Sequence, residues 1–146
     1  MDDKDRRIIT YLMDKGRDKI SDISRALDIP RVTVYERIKT MQNQGLIKKF
    51  TIIPDYTAIG LPLIAFVYVQ FDPAGGISER DLATRISNIP TVREVHIITG
   101  EWDLLLKVRA ESMETLGTLV LDRLREMKGI LKTQTLTVFK TVKEDS

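Results

Sequence analysis

The sequence contains no cysteine, and it has one histidine and one tryptophan among its 146 residues. Disulfides and thiolate metal sites are therefore excluded, and a single histidine cannot build a typical zinc site. The longest apolar stretch, residues 61–69, contains a proline and is shorter than the roughly 18 residues that a membrane helix needs. We therefore expect a cytoplasmic protein with no metal and no membrane association.

Motifs of catalysis are also missing. The sequence has no Gly-rich phosphate loop, no G-x-S-x-G and no H-E-x-x-H. Its carboxylates are not paired in a pattern that indicates general acid–base catalysis. The sequence therefore predicts a protein that is not an enzyme and needs no cofactor.

The charged residues that give the net charge of +2 are unevenly distributed along the chain. Residues 1–53 carry twelve Lys and Arg against eight Asp and Glu, a net charge of +4, whereas residues 54–146 have a net charge of −2. A positive charge at one end of a chain is typical of a protein that binds a polyanion such as nucleic acid. A solvated basic face is the alternative interpretation.

The first fifty residues show three short helical patterns. Asp2 or Asp3 is a candidate cap for a helix that ends near Asp14, and Ser21 is a candidate cap for a second helix. A third begins near Pro30, because proline suits a first helical turn. Two short helices joined by a tight turn, the second exposed and basic, are typical of a helix-turn-helix.

The third helix has a narrow apolar stripe, so most of its surface is free to contact a partner. The side chains outside the stripe are basic, hydroxyl, aromatic and amide groups, which are types that contact base edges and phosphates. The candidate DNA-binding residues on this helix are Arg31, Val32, Thr33, Tyr35, Glu36, Arg37 and Lys39. Arg37 lies beside the apolar stripe, so it either pairs locally or contacts phosphate.

Residues 46–53 are rich in strand-forming side chains, and we expect a β-segment here that forms a small wing. Lys48 and Lys49 lie within this segment. They either contact phosphate beside the groove or protect an edge strand from unwanted pairing.

The rest of the chain alternates strand and helix patterns in the order β-α-β-β-α-β. This order predicts a ferredoxin-like sheet with both helices on one face. The fold class is therefore α+β, with a winged helix-turn-helix domain at residues 1–53, a linker at 54–62 and a ferredoxin-like domain at 63–146. Both faces of the first strand, residues 63–71, are apolar, which predicts that the helix-free face is covered by a second copy.

The chain resembles the Lrp/AsnC ("feast/famine") family of transcription regulators across essentially its whole length. The matching stretches are DDKDRRIITYLMDKGR, ISDISRALDIPRVTVYERIKTMQNQGLIKKF and TGEWDLLLKV. Two positions differ from the family pattern: Pro30 stands where a serine usually opens the recognition helix, and Trp102 stands where a tyrosine is frequent.

The resemblance implies a DNA-binding repressor or activator that recognises pseudo-palindromic double-stranded sites. It also implies homodimers, often assembled into octamers, and an amino acid effector bound between dimers by the C-terminal domain. The residues it assigns to the effector site are Gly100, Glu101, Trp102, Asp103, Thr133 and Thr135.

Residue chemistry offers a role and an alternative at four of these six positions. Gly100 permits a close backbone approach, and Asp103 is suited to an α-ammonium group. A plain hairpin turn in which Asp103 bonds to its own backbone is the alternative explanation of both residues, and alternating threonines such as Thr133 and Thr135 are ordinary in strands.

Two other functions remain open at this point. One is a ligand-binding or enzymatic ferredoxin-like oligomer whose helix-turn-helix serves only assembly. The other is RNA binding by the winged helix. The segregated charge and the missing catalytic motifs argue against the first, and preference for a dyad-symmetric DNA site would exclude the second.

Overall fold

The structure, a computed structural model, describes residues 1–145. The chain divides into two compact units, Met1–Ile53 and a second that begins at Pro54. The linker predicted at residues 54–62 thus lies within the second unit.

The N-terminal unit contains three helices: α1 (Asp3–Asp14), α2 (Ile20–Leu27) and α3 (Arg31–Asn43). As predicted, Asp2 caps α1: its side chain accepts a hydrogen bond from the Asp5 backbone, and the Asp5 side chain accepts one from the Asp2 backbone. This reciprocal pair satisfies two of the amide groups that a helix start leaves unpaired.

The three helices enclose a small apolar core, and a left-handed residue shapes the turn between the last two. The fully buried members of the core are Ile8, Ile23, Ile29, Val34 and Met41. Asp28 ends α2 at φ 53°, a conformation that aspartate tolerates because its short polar side chain can bond locally. The helix-turn-helix predicted from the sequence is therefore confirmed.

Two predictions for this unit were wrong in detail. Helix α2 begins at Ile20, with Lys19 rather than Ser21 at the N-cap position, because Ile20 packs against the core and that packing sets the start of the helix. Residues 46–53 form no strand with any described part of the chain. A strand needs a backbone partner, and without one Leu46, Phe50, Ile52 and Ile53 remain exposed, whereas Ile47 packs against the core of the three helices.

The second unit contains β1 (Leu63–Phe71), α4 (Glu79–Ser87), β2 (Val92–Ile97), β3 (Leu104–Ala110), α5 (Met113–Gly117) and β4 (Ile130–Thr137). The strands form one antiparallel sheet in the order β2-β3-β1-β4. This is the predicted ferredoxin-like topology, in which the two outer strands come from different β-α-β halves of this unit.

One face of the sheet packs against α4 and α5 and forms the core of this unit. Ala65, Val67 and Val69 of β1 are fully buried there, together with Leu82 and Ile86 of α4. The alternate β1 residues point to the opposite, helix-free face and are only half-buried. The predicted division of β1 into two apolar faces is confirmed.

The second helix of this unit is regular only at its start, Met113–Gly117. After Gly117 the chain forms a π-helical turn, Thr118–Leu124, in which the Arg125 backbone bonds to the Val120 carbonyl five residues earlier. The wider turn keeps Leu119 and Leu124 in the core. Strand β4 ends at Thr137, and farther along the tail Glu144 pairs with Arg109 of β3.

Two glycines bring the loop after β1 against the start of β4. The Asp72 backbone donates a hydrogen bond to the Gly129 carbonyl at 2.8 Å. A Cβ atom added at Gly75 would lie 2.5 Å from the Gly129 nitrogen, so the two backbones are in direct contact. Gly129 itself adopts φ +90°, which other residues rarely do.

Candidate nucleic-acid interface and ligand site

The outward side of α3 lies opposite the buried stripe formed by Val34, Ile38 and Met41. Four of the predicted DNA-binding residues share that outward side at the spacing i, i+3, i+4, i+7, and they are all exposed: Val32, Tyr35, Glu36 and Lys39. Arg31 is exposed at the start of the helix, and Thr33 is half-buried. Helix α3 therefore presents an unobstructed, mixed polar face.

Arg37 is held within the N-terminal unit. Its guanidinium lies 2.6 Å from a carboxylate oxygen of Asp2 and 3.3 Å from one of Asp5. The backbone amide of Asp5 and this guanidinium lower the pKa of Asp2 to about 2. Of the two roles left open for Arg37, the contacts favour local pairing, which ties α3 to the start of α1.

We expect Arg37→Met to lower the melting temperature of the N-terminal unit without changing the salt dependence of DNA binding. The substitution leaves the nearly buried Asp5 carboxylate without its cation. A lost phosphate contact would instead change the slope of log K against log salt by roughly 0.9. Circular dichroism and anisotropy titrations at several salt concentrations measure both quantities.

Lys39→Met is the matched control, because it removes an exposed cation from the same helix. We expect it to lower the salt slope and to leave the melting temperature nearly unchanged. A salt slope that falls by about one in the Arg37 variant would show that Arg37 contacts phosphate after all.

Lys48 and Lys49 follow α3 and are both exposed. Because residues 46–53 form no strand, protection of an edge strand does not explain these lysines within the described chain. Phosphate contact is the remaining role that the sequence suggested for them.

The turn between β2 and β3 is fixed to β1 by Asp103. One carboxylate oxygen of Asp103 accepts a hydrogen bond from the Phe71 backbone at 2.7 Å, and its own backbone amide donates to the Val69 carbonyl at 3.0 Å. Asp103 thus has a structural role at this position. Gly100 adopts φ +117° and is exposed, as is Glu101, so the tip of the turn is open to solvent.

Trp102 lies against the helix-free face of the sheet. Its ring stacks on Tyr68 of β1 with centroids 5.7 Å apart, and the Lys132 ammonium of β4 lies 5.6 Å from the centre of the indole ring. Tyr68 and Lys132 were not predicted from the sequence as neighbours of this turn. They lie on the adjacent strands β1 and β4, where Lys132 stands opposite Gln70, two residues from Tyr68, so they are diagonal neighbours on one face that the strand order is needed to find.

Thr133 and Thr135 lie on the other face. In the register of β1 with β4 they stand opposite Val69 and Val67, whose side chains point toward the helices. Thr133 borders a shallow concavity of about 440 Å³ whose other lining residues are Arg125, Ile130, Leu131 and Lys132. Within a single chain, therefore, the six predicted effector residues are not gathered around one cavity.

A cluster of charges covers the β3 part of the helix-free face. Arg109 has a side chain that is only 3% exposed, and it lies 2.5 Å from the carboxylate of Glu144 in the C-terminal tail. The Lys107 ammonium lies 2.6 Å from the other oxygen of the same carboxylate. The ring of Tyr56 stacks over the Arg109 guanidinium at 3.5 Å. The chain's own linker and tail thus cover this part of the face.

The described residues, 1–145, were searched for metal sites and for membrane-spanning helices. The described side chains contain no group of three or more His, Asp or Glu positioned to hold a metal ion. No helix in the same range is long and apolar enough to cross a membrane.

A helix-turn-helix with an open, basic recognition helix, followed by a ferredoxin-like unit, defines a DNA-binding regulator. Comparison with known families agrees with this class. Residues 1–48 match a winged helix-turn-helix DNA-binding model, and residues 64–146 match the Lrp/AsnC ligand binding domain. The chain belongs to the Lrp/AsnC family of transcription regulators, as the sequence motifs predict.

Relatives and solved structures support the same assignment. An uncharacterized HTH-type transcriptional regulator of Pyrococcus horikoshii is 46% identical over 99% of this chain and 97% of its own length. The HTH-type transcriptional regulator FL11 of the same organism is 35% identical over 99% of this chain and 93% of its own length. A Neisseria meningitidis transcriptional regulator in complex with L-Met is 25% identical, with a TM-score of 0.91 over 99% of this chain and 93% of that one. These relatives are regulators rather than enzymes, which confirms the prediction.

Proposed function

We propose that this protein binds specific pseudo-palindromic DNA sites as a homo-oligomer in the cytoplasm, and that an amino acid tunes this binding. The observation that carries the DNA-binding part is the exposed side of α3, which lies directly opposite its buried stripe and is flanked by Arg31 and Lys39. Its outward groups match the chemistry of base edges and phosphates.

Dimerisation through the helix-free sheet face follows from the apolar side chains that this face exposes. Ile64, Phe66 and Tyr68 of β1 are half-buried there, and Leu136 of β4 is 42% exposed. An apolar patch of this kind on a regulator with a dyad-symmetric target favours a second copy as the partner. Octamers would place the β2–β3 turn between dimers.

The ligand proposal rests on the turn at Gly100–Asp103 and on the relative whose structure holds L-Met. A bound amino acid between dimers would bring the turn of one chain together with the threonines of another. This arrangement accounts for the separation of the two residue groups within one chain.

The test is a fluorescence-anisotropy titration with the duplex upstream of the protein's own gene, against a scrambled duplex. It is run with and without a pool of the twenty amino acids. Preference for the upstream duplex that shifts with the pool supports the whole proposal. Preference without a shift removes the effector part alone. Equal binding to native and scrambled duplexes at low salt overturns sequence-specific regulation.

Trp102 provides an internal probe for the effector part, because it is the only tryptophan in the chain. We expect an amino acid that shifts DNA binding also to change tryptophan emission, since Trp102 lies in the proposed site. L-Met is the first ligand to titrate. An active ligand that leaves the emission unchanged would place the effector away from this turn.

A further inference from the structure

The outward side of α3 begins with an apolar residue. Val32 is 74% exposed, although it occupies the second position of a helix whose neighbouring outward groups are polar or aromatic. Valine is a weaker helix former than most polar residues, because branching at Cβ restricts its side chain. Neither core packing nor helix propensity explains a valine at this position.

The position of Val32 relates it to DNA. In a helix-turn-helix, the N-terminal residues of the second helix contact base edges in the major groove. Arg31 and Lys39 are exposed cations on the same helix, and the N-terminal unit has a net charge of +4. This charge complements DNA and argues against an apolar protein surface as the group that covers Val32.

The major groove offers an apolar group of the right size, the C5 methyl of thymine. Cytosine lacks this methyl group, and the edges of the purines present hydrogen-bonding atoms there instead. We infer that Val32 packs against a thymine methyl in each half of the DNA site and thereby selects thymine at that position. This inference rests on the sequence-specific DNA binding proposed above.

The test removes the methyl group from the DNA and its partner from the protein. Wild-type protein first selects duplexes from a random pool. An enriched duplex is then resynthesised with uracil in place of each thymine in turn, because uracil pairs like thymine and lacks only the C5 methyl. At one position in each half-site we expect the wild type to lose about fourfold in affinity, the loss for one buried methyl group.

Because Val32→Ala removes the contact from both half-sites, the variant should bind the thymine duplex about sixteenfold more weakly than wild type, and a duplex with uracil at that position no more weakly than the thymine duplex. Because alanine favours helix and Val32 is exposed, this variant should keep its fold, which circular dichroism verifies. Tyr35→Phe is the matched control from the same side of α3. It should retain the full uracil penalty at the Val32 position.

The possible results separate the inference from the proposed function. A uracil penalty of equal size in wild type and Val32→Ala, or no penalty at any thymine of a duplex that still binds, overturns the thymine contact and leaves sequence-specific binding intact. A random pool that yields no enriched sequence overturns sequence-specific binding and the thymine contact with it. A penalty that disappears only in the Val32 variant establishes the contact.

Discussion

Gly75→Ala is expected to destabilise the C-terminal unit by about 3 kcal/mol, the upper range for added volume in a packed interior. The new Cβ would lie 2.5 Å from the nitrogen and 2.8 Å from the Cα of Gly129. Both are backbone atoms at the entrance to β4, so no side chain can rotate away. The loop and the strand must separate, which strains the hydrogen bond from Asp72 to Gly129.

Guanidinium unfolding followed by Trp102 fluorescence measures this change, because the only tryptophan lies in the C-terminal unit. Gly117→Ala is the matched control. A Cβ at Gly117 meets nothing within 4 Å, and its backbone is helical at φ −59°. We expect the control to gain about 0.5–1 kcal/mol from helix propensity. Equal unfolding midpoints for the two variants would contradict the close contact of Gly75 with Gly129.

Glu144→Gln is expected to destabilise the same unit by about 2–3 kcal/mol at neutral pH. Removing one partner of a buried ion pair typically costs about 3–5 kcal/mol, and partial exposure of Glu144 reduces that figure. Glutamine keeps the size of the side chain but removes the charge that faces Lys107 and Arg109. The buried guanidinium of Arg109 then lacks a compensating carboxylate.

The effect of this substitution should depend on pH in a defined direction. The hydrogen bond from Lys107, followed by that from Arg109, lowers the pKa of Glu144 below its usual value of 4.5. A carboxylate with a lowered pKa in the folded state contributes stability above the unfolded value and loses it as the pH falls through the folded value. The stability gap between wild type and Glu144→Gln should therefore be full at pH 7 and narrow below about pH 4.5.

Unfolding curves at pH 7 and at successive values below pH 4.5 test this prediction. Glu111→Gln is the control, because Glu111 is an exposed carboxylate immediately after β3. It should change stability little at either pH. A gap for Glu144→Gln that stays constant as the pH falls would mean that the charge of Glu144 does not stabilise the fold.

Those parts of the fold that depend on local chemistry were predictable from the sequence. Asp2 caps α1 as predicted, and β1 alternates between two faces, because capping and a period of two require only neighbouring residues. The start of α2 and the π-helical turn were not predictable, since packing of Ile20 and Leu124 against distant residues determines them.

The candidate sites were likewise predictable where neighbouring residues determine them and not where distant residues do. The exposed side of α3 followed from helical spacing alone, so Val32 and Lys39 lie where the pattern placed them. The salt bridges of Arg37 could not be assigned, because its partners lie more than thirty residues earlier in the sequence. The resemblance grouped Thr133 with Trp102, but only the strand register shows that they lie on opposite faces of the sheet.

The contacts of Arg109 set the limits of any fragment made to study the ligand-binding half alone. A fragment that begins at Leu63 lacks Tyr56 and exposes one side of the guanidinium, and one that stops at Thr137 lacks its carboxylate partner. Such fragments would present a partly uncovered cation on the proposed dimer face. Crystallisation or ligand screening of this half should therefore use a piece that starts at Pro54 and retains Glu144.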